Sequence, residues 1–270
     1  MTSTLAVKGV LANGKAQLKL PPTAAFRASG ATMLRSMLAF ARLPRRAPLP
    51  AAISAAVALS ACGGSGASSA GSPLNVAVTR ASKVGGCVRT LTPAPKGPQH
   101  LHAPAVALDR AKSYVVALAT NCGSIEIRLA VNQAPRTTAS FAYLVKRGFY
   151  DDLTFHRVAA GFVIQGGDPN GDGSGGPGYT VVERPPQSVQ YRRGVVAMAK
   201  TATDPAGASG SQFFIVTAAR VPLPPQYALV GEVVGGMRSV EAISRLPTDP
   251  PQDGAPTQPV VIDRATLRVQ

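Results

Sequence analysis

One stretch constrains this 270-residue chain more than any other: Phe155-His156-Arg157-Val158-Ala159-Ala160-Gly161-Phe162-Val163-Ile164-Gln165-Gly166-Gly167-Asp168. Two short apolar runs, each of strand length and rich in Val, Ile and Phe, are joined by small residues and closed by a double glycine. Both runs read as buried, yet Arg157 lies in the first and Gln165 in the second. A guanidinium and an amide are costly in a desolvated wall unless they are given partners. One reading is an arginine at a strand edge that snorkels its head group into water. The other is a polar pair built into an apolar wall, and the recurrence of Arg, Phe and Gln together favours it.

The periodicity around that stretch predicts a β-rich domain. Tyr114 to Thr120 reads as a strand, Asn121-Cys122-Gly123 as a tight turn, and Ser124 to Ala130 as the returning strand. After Pro135 the period changes: Phe141, Leu144 and Val145 fall at i, i+3 and i+4, an amphipathic helix stopped near Gly148. Tyr191 to Met198, Gln212 to Thr217 and Ala228 to Val234 read as further strands. Met237 to Leu246 reads as a second helix ended by Pro247, and Val260 to Val269 as a closing strand. Many strands with two helices and no βαβ rhythm indicate a barrel or sandwich, not a parallel α/β sheet. The apolar share of 45% supports a packed core, and with 5% aromatics and no Trp that core is mainly aliphatic.

The formal charge of +15 belongs largely to the N-terminal region. Eight of the 28 basic residues and none of the 13 acidic ones lie within residues 1–61, which leaves the remainder at +7. That excess is diffuse and has no basic run, which argues against nucleic-acid binding. Arg42, Arg45 and Arg46 precede the small apolar run from Ala51 to Ala61, too short to span a bilayer, and the run ends Leu59-Ser60-Ala61-Cys62. These four residues resemble the lipobox of bacterial lipoprotein precursors, which implies cleavage before Cys62 and a lipid on it. A plain signal peptide with an incidental cysteine is the alternative. Residues 1–32 lack this pattern, so translation is expected to start at Met33 or Met37 instead of Met1.

Residues 62–111 are expected to be a flexible Gly/Ser/Pro-rich tether, and the domain to occupy residues 112–270. With Cys62 lipidated, Cys87 and Cys122 remain as a pair outside the cytoplasm, either bridged or as two free thiols. No metal is expected. His100 and His102 have no further ligand at metal spacing. Asp168-Pro169-Asn170-Gly171-Asp172-Gly173 imitates the first half of a calcium loop, but its twelfth position is Tyr179, where a bidentate Glu is needed. The glycines of that loop also lack the Lys-Ser/Thr ending of a phosphate-binding loop.

Phe155-His156-Arg157, Gly161-Phe162, Gln165-Gly166-Gly167-Asp168, Met198-Ala199 and Gly210-Ser211-Gln212-Phe213-Phe214 stand in an order that resembles the cyclophilin family of peptidyl-prolyl isomerases. The resemblance covers about residues 112–270. It implies a mainly β fold, a closed eight-stranded antiparallel barrel capped by two helices, with a substrate groove on its outer face. It also implies that Arg157 is the catalytic arginine, assisted by Phe162 and Gln165. Val163, Phe214 and Leu223 would line a proline pocket, Ala199 and Gln212 would hold the peptide backbone, and Lys200 and Tyr227 would complete the rim. His156 is expected to be a structural hydrogen-bonding residue.

The expected partners are proline-containing polypeptides, met by a monomer without cofactor and anchored to a bacterial membrane through Cys62. The alternative is a proline-peptide binding or chaperone-like module with little turnover. The chain departs from the family pattern at Pro222, Tyr227, Lys200 and Val163, where Trp, His, Asn and Met are common. Pro222 makes the rim smaller and removes an indole donor, so tight binding of cyclosporin, a family trait, is not carried over.

Overall fold

The computed structural model describes residues 83–84 and 86–270. Cys62, the signal-like segment and the first part of the tether lie outside the described residues. Eight of the eleven strands in the main sheet form its body: β1 (Tyr114–Thr120), β2 (Gly123–Leu129), β3 (Arg157–Ala159), β4 (Val163–Gly166), β5 (Val195–Met198), β6 (Phe213–Val216), β7 (Leu229–Gly235) and β8 (Val261–Val269). Their hydrogen-bonded order is β3-β4-β6-β5-β7-β2-β1-β8, antiparallel throughout. Closure comes from the opening stretch. Leu153–Thr154 pairs with β8 while Arg157–Ala159, three residues on, pairs with β4. The sheet therefore returns on itself and leaves little open edge.

Two helices pack against the barrel. Helix α1 (Pro135–Lys146) starts with Pro at its first position and buries Phe141, Ala142, Leu144 and Val145. Its own N-cap residue, Ala134, offers no side-chain oxygen, and the Glu183 carboxylate does this from a distance, accepting from the backbone N–H of Arg136 (3.1 Å) and Thr137 (2.7 Å). Gly148, at φ 65°, follows its end. Helix α2 (Met237–Ser244) turns Val240 and Ile243 inward. Inside the barrel, Phe213 stands at the centre of an aromatic group, edge-on to Phe141, Tyr150 and Phe155 at 5.5–5.8 Å.

The expectation of an unstructured tether is corrected over its described part. Residues 89–104 form no helix or strand, but they are held to the domain along their length. Cys87 and Cys122 are joined by a disulfide, and the Val88 N–H donates to the Asn121 carbonyl at 2.8 Å. Further on, the Lys96 N–H donates to the Pro169 carbonyl (2.8 Å) and the Leu101 N–H to the Pro177 carbonyl (2.9 Å). A β-carbon on Gly178 would fall 2.4 Å from the Gln99 carbonyl oxygen, a measure of how closely the strap is laid down. Leu101 and Leu108 pack against the core and Lys96 Nζ donates to the Phe149 carbonyl at 3.1 Å, but these contacts are too widely spaced to give an apolar period. The rest of the anchoring is through backbone groups and one covalent link. On the chain-entropy account, cross-linking residues 35 apart is worth about 4 kcal/mol.

Candidate active site

Alternation along the strands sorts side chains between two apolar clusters. Val158, Ile164, Val196, Met198, Phe213 and Ile215 belong to the barrel interior. Ala159, Val163, Ala197, Phe214 and Val216 belong to a second cluster on the opposite face, together with Phe162, Ala199, Leu223 and Tyr227. The register then aligns the opening motif with the later ones. Arg157 lies opposite Gln165, Gln165 opposite Phe214, and Phe214 opposite Ala197. Residues up to 57 positions apart in the chain thus form one row across four strands.

The polar members of that row are buried and bonded to each other. Arg157 is 5% exposed. Its Nη1 donates to Gln165 Oε1 at 3.2 Å, Gln165 Nε2 donates to Gln212 Oε1 at 3.0 Å, and Gln212 Nε2 donates to the carbonyls of Gly173 (3.1 Å) and Gly175 (2.9 Å). The far edge of the guanidinium meets a residue that sequence reasoning missed. Nε and Nη2 donate to the two carboxylate oxygens of Asp253 at 2.7 and 2.8 Å. This two-pronged pair supplies the counter-charge that a desolvated arginine needs. The only sequence cue was that need; the 96-residue separation offers no spacing to read.

The loop that carries Gly173 and Gly175 is itself tied down by Asp168, 1% exposed. One carboxylate oxygen accepts the N–H groups of Asn170 and Gly175 (both 2.9 Å), and the other those of Asp172 (3.0 Å) and Gly173. The calcium-like spelling of this loop thus reflects an acid that organises backbone amides.

Phe162, Val163, Phe214 and Leu223 share one apolar cluster with Ala199 and Tyr227. Phe214 is fully buried, with the Tyr227 ring edge-on to it at 5.6 Å and Tyr191 tilted at 6.3 Å. The Tyr191 hydroxyl donates to the Tyr227 carbonyl at 2.7 Å and accepts the Tyr227 N–H at 3.0 Å, which fixes this rim residue; burial pushes that phenol up to about 12. Lys200 turns its ammonium back on its own loop, donating to the Thr201 and Asp204 carbonyls at 2.9 and 3.0 Å, with the Tyr227 ring 5.9 Å away. Pro222 is exposed.

A cavity of about 340 Å³ lies at the Gln212 end, lined by Gly175, Ala199, Lys200 and Gln212 among others. Another of about 320 Å³ lies at the Arg157 end, beside His156, Asp249 and Asp253.

His156 corrects an expectation. Among the described residues neither ring nitrogen finds a hydrogen-bond partner, in place of the structural hydrogen bonds expected of it. Burial pushes the imidazole down to about 4; Asp168 opposes this and Arg157 adds to it. The ring is neutral at pH 7.

The comparisons agree with this geometry. The family model described as Cyclophilin type peptidyl-prolyl cis-trans isomerase/CLD matches residues 115–267, more than half of the chain, and the chain belongs to that family. Among its relatives is the probable peptidyl-prolyl cis-trans isomerase A of Mycobacterium bovis, 39% identical over 168 residues, 56% of this chain and 90% of the relative. Peptidyl-prolyl cis-trans isomerase B of Streptomyces anulatus is 36% identical over 178 residues, covering 59% and 99%. Among solved structures, a Cryptosporidium parvum cyclophilin type isomerase crystallised in the presence of the dipeptide Ala-Pro matches with a TM-score of 0.53 at 30% identity, covering 57% of this chain and 98% of that one.

Proposed function

We propose that this cyclophilin-type isomerase works outside the cytoplasm, held to a bacterial membrane by a lipid on Cys62, and turns over X–Pro bonds in exported polypeptides. The row Arg157–Gln165–Phe214 carries the reading, because it sets a paired cation against an apolar wall. Amide rotation breaks resonance across a barrier of about 18–20 kcal/mol. Unaided, an X–Pro bond needs tens to hundreds of seconds. Five decades of acceleration correspond to about 7 kcal/mol of selective stabilisation. The twisted amide has lost its conjugated dipole, so the wall formed by Phe162, Val163 and Phe214 disfavours it less than the planar ground state. Its nitrogen gains a lone pair that Arg157 meets with a charged hydrogen bond worth about 1.5–3 kcal/mol. Gln165 orients the guanidinium, and Gln212 and Ala199 hold the flanking peptide. No nucleophile and no proton relay takes part.

The second reading, a proline-peptide binding module with little turnover, uses the same groove and is encouraged by Pro222 and Tyr227, which stand where Trp and His are common. A protease-free exchange assay on a proline peptide separates the two. Turnover by the wild type that falls about a hundredfold in Arg157→Ala supports the isomerase. Peptide binding with no rate acceleration by the wild type supports the module. Lipidation is tested separately, by whether Cys62→Ser abolishes membrane association in cells.

A further inference from the structure

Asp253, which holds one edge of the Arg157 guanidinium, comes from outside the groove motifs. It stands in a hairpin, Thr248–Asp249 against Asp253–Pro256, that extends the sheet beyond β3. Three contacts stitch the hairpin to the strand that carries the arginine. Asp253 lies opposite Ala159, Gly254 lies opposite Val158, and the Ala160 N–H donates to the Gln252 carbonyl at 2.7 Å. The turn is tight enough that a β-carbon on Gly254 would fall 2.4 Å from the backbone of Asp249. The carboxylate therefore arrives over Arg157 on a fixed support.

The consequence is geometric. A guanidinium is a planar fork, and its Nε/Nη2 edge is one of the two-pronged edges that match a carboxylate. Asp253 occupies that edge at 2.7 and 2.8 Å, and Gln165 holds Nη1 from the neighbouring strand. Contacts from two directions set the plane of the guanidinium as well as its place. The half-exposed flank of the pair, where Asp253 is 35% exposed against 6% for Arg157, is on the hairpin side.

We infer that Asp253 is a positioning residue for the isomerase reaction: it locks the plane of Arg157 so that the guanidinium points at the twisting X–Pro nitrogen. The inference rests on the isomerase reading above. It does not require Asp253 to touch the peptide. Its signature is a loss of turnover with little loss of peptide affinity, because on this reading the ground-state peptide is held by the apolar wall and by Gln212 and not by the arginine.

The test is a double-mutant cycle on the full chain, with turnover and peptide affinity measured separately. Asp253→Asn keeps the shape but removes the charge and one of the two acceptors. It is expected to lower kcat by about ten- to a hundredfold, the scale of a misplaced reacting group, with KM changed less than about twofold. In the Arg157→Ala background the same change is expected to do nothing further. Asp253→Gly, with room for a small carboxylate at this partly exposed position, is expected to regain activity with added formate but not with chloride.

Wild-type kcat in Asp253→Asn overturns the inference and leaves the isomerase reading intact. Raised kcat overturns it in favour of a restraining contact. Equal losses in both backgrounds, or loss in step with thermal stability and without formate rescue, overturn it in favour of a purely structural role. A wild type without turnover removes the isomerase reading and this inference together.

Discussion

Strands β3 to β6 are buried on both faces, and the two faces are built differently. The interior face presents only apolar side chains, gathered round Phe213, with the one neighbouring phenol, Tyr150, donating to the Ser211 carbonyl at 3.0 Å. The opposite face is also apolar, but a line of bonded polar groups crosses it, from Asp253 through Arg157 and Gln165 to Gln212. Both faces are dry enough that every polar group must find a partner. On the interior side that demand is met by leaving polar groups out. On the groove side it is met by letting them satisfy one another, which keeps a cation in place without exposing it to water.

The contrast is broken most severely from the inside. Phe213→Ala is expected to cost about 3–5 kcal/mol of unfolding free energy, from lost burial and an unfilled cavity. Denaturant unfolding reads the loss directly. The groove row of the remaining folded protein should still turn over peptide at near the wild-type rate, since Phe213 points away from it.

The next effect is in pH. The folded-state value of His156, about 4, lies below the ordinary 6.5, so the unfolded chain takes up this proton first as pH falls. Stability from this group is complete above about pH 6.5, declines down to about pH 4, and changes no further below that. At 1.36 kcal/mol per pKa unit the loss is up to about 3 kcal/mol. Melting curves between pH 4 and 7 should show it, and His156→Phe should flatten the profile over that window.

The groove side is expected to respond more in rate than in stability. Gln165→Leu takes away the acceptor of Arg157 Nη1 and the donor to Gln212 Oε1. A stability loss of about 1–3 kcal/mol is expected from the disturbed buried polar groups. A larger drop than that in Phe213→Ala would contradict the division drawn here. Turnover should fall about tenfold. The smallest change is Leu223→Ala at the half-buried rim, where about 1 kcal/mol of peptide affinity is expected to go while kcat holds. Titration calorimetry with a proline peptide measures it.

Much of this arrangement was legible beforehand. The parity of Val158, Ile164 and Phe213 against Arg157, Gln165 and Phe214 is a property of alternation, so the two faces could be written down from the motifs alone. Both helices fell where their period placed them, Pro135–Lys146 and Met237–Ser244, the second ending two residues before the expected Leu246. The expected strand from Tyr191 shortened to Val195–Met198, because Tyr191 is used to brace Tyr227 instead of joining the ladder. The strap at residues 87–111 looks loose in sequence because backbone hydrogen bonds leave no mark in composition and its two core-packed leucines, Leu101 and Leu108, are too far apart to show a period.

The amino-acid order therefore determined which side chains share a face, which segments are strands, and that a buried arginine would require a counter-charge. What it left open was where that counter-charge comes from. Asp253 reaches Arg157 only because a hairpin 96 residues downstream is registered against β3, and such registration is settled by chain closure, not by local preference. The same is true of Glu183 on the first turn of α1 and of the strap on the glycine loop. In each case a polar group is satisfied by a distant partner, and distance along the chain carries no periodic signal.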